Sequence, residues 1–240
     1  EDMKMLEIKN FSKSYGDKKV VDNLNLSVEN GEIFGFIGHN GAGKTTTIKS
    51  IVGILDFEAG DILIDGKSIK NDEMACKRIM AYIPDNPDIY ESLTGIRYLN
   101  FIGDIYKVDA RLRETLIRQY ADAFELTANL GDVIASYSHG MKQKLMIISA
   151  LIHQPKLLIL DEPFVGLDPK AAHILKQLMR ELCDQGGSIF FSTHVLEVVE
   201  KLCDHVAIIK NGSIITEGSI DQVMGDQSLE EVFLELTNHE

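Results

Sequence analysis

"GEIFGFIGHNGAGKTTTIKSIVGIL", Gly31–Leu55, decides the architecture. Its first part, "GEIFGFIG", is an apolar run of the length a buried strand needs. Its last part, "KTTTIKSIVGIL", predicts a helix. Between them "GHNGAGKT", Gly38–Thr45, matches G-x-x-x-x-G-K-[ST]. In a strand–loop–helix frame, successive backbone N–H groups of such a loop wrap phosphates, and the glycines remove side chains that would block the approach. Lys44 is expected beside the β and γ phosphates of a nucleotide, and the Thr45 hydroxyl on Mg²⁺. Asn40, Gly41, Ala42 and Gly43 complete the loop, and Thr46 adds an α-phosphate contact. His39 stands at a free position and receives no role.

The loop alone does not choose between kinase, GTPase and ATPase, and "LLILDEP", Leu157–Pro163, narrows the choice. Four apolar residues make a central strand, and Asp161 emerges at its C-terminal end, where open α/β sheets bind ligands. Asp161 is the expected Mg²⁺ partner of Thr45. Glu162 then stands nearer the γ-phosphate, where a carboxylate orients an attacking water or takes its proton. "SIFFSTH" repeats the layout and places His194 at a strand mouth, within reach of the γ-phosphate by a hydrogen bond. Alone, a histidine at a strand end is more often structural.

The rest of the chain sets bounds. It has 240 residues, 45% hydrophobic and 25% charged, with 24 basic against 37 acidic residues and a net charge of −13. That acidity argues against nucleic acid as the main partner and against unaided binding to an anionic lipid surface. Cys76, Cys183 and Cys203 are scattered and read as idle thiols of a reducing compartment. "EDMKMLEIKN" is charged without an apolar core, which is not the pattern expected of a signal peptide, and the apolar run around "KLMIISALIHQPKLLIL" is broken too early to span a bilayer. The expected location is cytoplasmic. Strand patterns dominate residues 3–84, helical periods residues 85–153, and alternating strands and helices residues 154–236. The expectation is one domain, 3–236, of α/β class. A parallel sheet flanked by helices forms its core, with β-rich material in front and a helical insert.

"IASYSHGMKQKLMIIS", Ile134–Ser149, opens a second helix with a small polar run, which is again how a chain prepares a phosphate contact. With the segments above, it resembles the nucleotide-binding subunits of ATP-binding cassette (ABC) transporters over nearly the whole chain. The fold that this implies is a P-loop NTPase (RecA-like) core with an antiparallel β subdomain and an inserted helical subdomain. In that family a motif LSGGQ opens the second helix; here Tyr137-Ser138-His139-Gly140-Met141 stands in its place, and only Ser138 and Gly140 match. The resemblance implies that Ser138 and Gly140 serve the ATP of a partner subunit, two cassettes pairing head to tail, here as a homodimer. It implies that Tyr15 stacks on adenine with Val20 packing nearby, that Asp168 in "VGLDP" crosses to the partner, that Glu162 is the catalytic carboxylate and His194 the switch histidine.

One departure is larger. The family usually has Gln in "YIPQ", and this chain reads "YIPD", with Asp85 there. A carboxylate can ligate Mg²⁺; unpaired, it would repel phosphate by about 4 kcal/mol at ~4 Å with an effective dielectric constant of ~20. The metal role is the expectation for Asp85. The implied activity is Mg²⁺-dependent ATP hydrolysis driving a transmembrane permease on a separate chain, with this subunit peripheral on the inner face of the cell membrane. The surface after Asp85, with Tyr90 and Glu91, is the expected dock, while Leu93 and Leu99 are expected in the core. "YSHGMKQ", "PDNPDIYE" and "SLEEVFLELT" look most like exporter cassettes, and the short stretch after His194 leaves little room for the regulatory domain of many importers. The rival readings are an importer cassette and a soluble ABC ATPase without a transport role.

Overall fold

The computed structural model describes residues 4–87 and 89–238; Met3, where the sequence reading starts the domain, and Asp88 lie outside them. Among the described residues the strands are β1 (Lys4–Tyr15), β2 (Lys18–Glu29), β3 (Ile33–Ile37), β4 (Ala59–Ile64), β5 (Lys67–Ser68), β6 (Met80–Ile83), β7 (Leu157–Asp161), β8 (Ser188–Thr193), β9 (His205–Lys210) and β10 (Ser213–Ser219). An antiparallel sheet has the order β2-β1-β4-β5. A second sheet has the order β10-β9-β3-β8-β7-β6, parallel except where β10 returns beside β9.

The apolar runs read as buried strands are buried on both faces, and their alternation sorts two cores. From β3, Phe34 and Phe36 turn with Leu157, Ile159 and Phe190 toward the antiparallel sheet. Ile33 and Ile37 turn with Leu158, Leu160, Ile189 and Phe191 toward the helices. Each such side chain, fully buried, contributes about 1.5–3 kcal/mol. Between Ile33 and Ile37 the chain needs Gly35: a Cβ there would lie 2.9 Å from Cys203 Sγ and 3.0 Å from Val199 Cγ1. All three cysteines are free and buried.

The helices are α1 (Lys44–Ile51), α2 (Glu73–Ile79), α3 (Gly95–Ile105), α4 (Ala110–Ala123), α5 (His139–Leu151), α6 (Pro169–Asp184), α7 (Leu196–Leu202), α8 (Ile220–Met224) and α9 (Leu229–Asn238). Polar side chains start several of them. Thr94 caps α3, Asp109 caps α4, Ser138 caps α5 and Asp168 caps α6, each accepting from a backbone N–H of the first turn. The helix expected through Leu55 ends at Ile51, because the chain turns at Gly53 with φ +75°. The short α2 was not legible as a period. Leu99 is fully buried and Leu93 packs against the same core, as expected, whereas Tyr90 is exposed. No helix among the described residues is long and apolar enough to cross a membrane.

Candidate functional site

Because β3, β6, β7 and β8 run parallel, their C-terminal ends open on one edge of the sheet. Gly38 follows β3, Asp85 follows β6, Asp161 ends β7 and His194 follows β8. A cleft of about 190 Å³ opens at that edge, lined by Val20, Asn40, Gly41, Gly43, Lys44, Thr45, Thr46, Asp85, Asp161 and Glu162. A larger hollow of about 610 Å³ opens at the opposite edge, before β7 and β8. Its Lys156 and Asp65 are paired with each other at 3.4 Å. Size therefore does not identify the site, and the converging polar groups do.

The loop between β3 and α1 is held by contacts that glycine alone permits at two positions. A Cβ on Gly38 would lie 2.5 Å from the Ile209 carbonyl oxygen, and Gly43 has φ +111° with Val20 O 3.1 Å from its Cβ position. Lys44 is buried, and its Nζ donates to Gly38 O at 2.5 Å and to His39 O at 3.2 Å. Burial lowers the Lys44 pKa, opposed by the charges of Glu162 and Asp161. Ala42 is turned into the core and its amide donates to His39 O at 3.1 Å, so it adds nothing to the lining of the cleft.

Across the cleft, Thr45 Oγ1 donates to Asp161 Oδ2 at 2.8 Å, and Ser192 Oγ donates to Asp161 Oδ1. Burial raises the Asp161 pKa; the two hydroxyl bonds pull it down, and the charges of Asp85 and Glu162 push it up. Glu162 sits at φ +48°, a region few non-glycine residues adopt. Its amide donates to Ser192 O at 3.1 Å, and its Oε2 lies 3.0 Å from His194 Nδ1 and 3.4 Å from the His194 amide. The strained backbone thus aims the carboxylate at His194 while Asp161 aims at Thr45. Ser192, which the sequence reading passed over, holds both acids; its place in the polar end of "SIFFSTH" was the available signal.

The cleft sets one ammonium, Lys44, against three carboxylates, Asp85, Asp161 and Glu162. Such a site repels a polyphosphate unless a divalent cation joins it. The Thr45 hydroxyl and the Asp161 and Asp85 carboxylates are hard oxygen donors of the kind Mg²⁺ takes. Those residues fit the cation.

Tyr15 and Val20 divide. Val20 lines the cleft, whereas Tyr15, at the end of β1, is half exposed with Lys13 Nζ 5.5 Å from its ring centroid, outside the cleft lining. Ser138, Gly140 and Asp168 also lie outside it. Ser138 Oγ accepts from Met141 N at 3.2 Å. Gly140 is the residue that the approach of Gly166 requires, since a Cβ would lie 2.9 Å from Gly166 O. Asp168 accepts from Ala171 N at 2.8 Å and pairs with Lys144 at 2.9 Å. Gln143, fully buried, donates to Pro163 O at 3.4 Å. The start of α5 is therefore stitched to the segment that follows Glu162, and its residues lie outside the lining of the chain's own cleft.

Comparison with known proteins agrees with this geometry. Residues 21–165 match the family model described as ABC transporter. The chain is 35% identical to the ABC-type transporter ATP-binding protein EcsA of Bacillus subtilis (strain 168), over 99% of this chain and 98% of that protein. It is 35% identical to the linearmycin resistance ATP-binding protein LnrL of the same strain, over 90% of this chain and 69% of that one. A solved ATP-binding subunit of an ABC transporter superposes with TM-score 0.93 at 37% identity, covering 97% of this chain and 99% of that one. A Clostridium perfringens protein, described as part of the ABC transporter complex cbiONQ, superposes with TM-score 0.79 at 26% identity, covering 98% and 96%. With its strand ends, glycine loop and paired acids in this arrangement, the chain belongs to the ABC transporter family, among its ATP-binding subunits.

Proposed function

We propose that this chain binds and hydrolyses ATP with Mg²⁺, pairs with a second copy around the nucleotide, and drives export through a permease on a separate chain. The observation that carries the reading is the separation of two half-sites. Lys44, Thr45, Asp161 and Glu162 share one cleft, while Ser138 and Gly140 lie outside it on the N-terminus of α5. A helix N-terminus offers fixed partial positive charge to a phosphate, and here it lies outside the chain's own cleft. A second copy turned head to tail would bring it to the γ-phosphate, where it stabilises the developing charge.

In this reading the loop amides and Lys44 hold the β and γ phosphates. Thr45, Asp161 and Asp85 hold the Mg²⁺, which neutralises phosphate charge when bound. Glu162 takes or orients the proton of the attacking water, and His194 holds Glu162 in place. Tyr15 and Val20 flank the adenine, and Asp168 meets the partner. Tyr90 and Phe101, exposed and packed edge to face at 5.8 Å, with exposed Ile105, form an apolar patch suited to a permease segment. The similarity to a resistance protein supports export. An importer is the second reading, and the patch suits it equally.

The test is the solution mass of Glu162→Gln by light scattering, with and without ATP and Mg²⁺. Doubling with Mg²⁺-ATP, abolished by adding Ser138→Arg, is expected. A mass that stays monomeric while ATP binds would remove the paired-copy mechanism.

A further inference from the structure

The loop that holds Lys44 has a second support that none of its motif residues supplies. His39, the free position of "GHNGAGKT", packs its ring against Phe233 of α9, centroids 4.9 Å apart at 61°. Phe233 is 8% exposed, and so is its neighbour Val232. A cavity of about 290 Å³ beside this contact is lined on the loop side by Gly38, His39 and Asn40 and otherwise by His194, Leu196 and Phe233. The same helix is anchored to α7, the helix that follows His194: Leu229 N, at the start of α9, donates to Glu200 Oε2 at 3.3 Å. Helix α9 therefore touches the loop on one side and is tied to the His194 segment on the other.

We propose that Phe233 is a positioning residue for ATP: through His39 it braces the loop that carries the phosphate-binding amides. This deepens the proposed function and rests on it. Gly38, Ala42, Gly43 and Lys44 are buried, so the exposed crest of the loop, His39 to Gly41, is the part that the protein restrains least. The His39 carbonyl is one of the two that Lys44 Nζ donates to, at 3.2 Å, and it also accepts from Ala42 N at 3.1 Å. A displacement of His39 therefore moves the anchor of the phosphate-binding ammonium as well as the turn of the loop. An aromatic edge-to-face contact carries enough energy to select one loop position from several. Fixing the loop before ATP arrives removes an ordering cost from binding.

The experiment measures ATP affinity by fluorescence titration, and KM and kcat for ATP, with a thermal midpoint for every variant. The set is wild type, Phe233→Ala, Phe233→Tyr, His39→Ala, the His39→Ala/Phe233→Ala pair, and Val232→Ala. Val232 is as buried as Phe233 on the same helix but does not line the cavity. Expected is an ATP Kd and KM about tenfold higher for Phe233→Ala and for His39→Ala, with kcat within about twofold. The pair should be no weaker than the weaker single variant, and Phe233→Tyr should restore binding. Val232→Ala should lower the thermal midpoint without moving Kd. The proposal is overturned if Val232→Ala weakens ATP as much as Phe233→Ala, or if the two single effects add. Should Phe233→Ala not fold, exposed His39→Ala decides alone, and an unchanged Kd overturns the proposal. A wild type that does not bind ATP overturns the proposed function itself, a result separate from all of these.

Discussion

Glu162 Oε2 lies 3.0 Å from His194 Nδ1, joining the ends of two strands 32 residues apart in the chain. The contact presents one carboxylate oxygen to a ring nitrogen and to the His194 amide, on a residue that lines the cleft. Replacing Glu162 by Gln keeps the shape and the amide contact but removes the proton acceptor. ATP turnover should fall by at least about 100-fold while ATP affinity changes little. A phosphate-release assay beside a binding titration measures both. Residual turnover near wild type would assign the base elsewhere.

The His153 ring lies flat on Tyr106, centroids 3.6 Å apart at 4°, and burial holds its pKa at about 4, below the ordinary 6.5. As pH falls the unfolded chain takes this proton first. Stability from His153 is therefore present above 6.5, is lost between 6.5 and about 4, and is level below. The loss is at most on the order of 3 kcal/mol. Urea unfolding of wild type and His153→Phe at pH 7 and pH 5 should show the wild type losing more on acidification, by about 1–2 kcal/mol. Equal losses would show that His153 is not what acid attacks.

Tyr82 Oη is buried in the described structure without a hydrogen-bond partner, on the strand beside Asp161. Burial raises the Tyr82 pKa, and the charges of Asp161 and Asp85 add to it, so the hydroxyl keeps its proton. An unpaired buried hydroxyl costs about 1–3 kcal/mol, and its removal returns part of that. Tyr82→Phe should leave the midpoint of thermal unfolding unchanged or raised by a few degrees. A clear drop would mean that the hydroxyl has a partner in solution.

Asp168 is both the cap of α6 and the partner of Lys144. Asp168→Ala loses both and should cost about 1 kcal/mol of stability. Asp168→Asn keeps the cap and loses the pairing of the half-exposed Asp168 carboxylate with Lys144, so it should cost less than Asp168→Ala, under about 1 kcal/mol. Chemical denaturation ranks the pair. Equal costs would place the energy in the ion pair rather than the cap.

Much of this was written locally. Strand–loop–helix spacing around Gly38–Thr45, the apolar run before Asp161 and the polar end of β8 each announce a strand mouth, because burial on both faces demands a continuous apolar run. Ser138 was legible as a polar helix start. Less was legible where the pattern is short or the cause is remote. Helix α1 ends at Ile51 before its apolar residues do, α2 is too brief to show a period, and Tyr15 stands outside the lining of the cleft.

By itself the sequence determined which residues can carry phosphate chemistry and that they sit at strand ends, since spacing dictates where a side chain emerges. Only the tertiary structure decided which of them meet. Parallel pairing of β3, β7 and β8 brings Thr45 to Asp161 across 116 residues and lets Ser192 hold both acids. It also brings Phe233 onto His39, a position the motif leaves free. Such contacts depend on how whole elements pack, and packing is a property of many distant side chains at once, which no local spacing records.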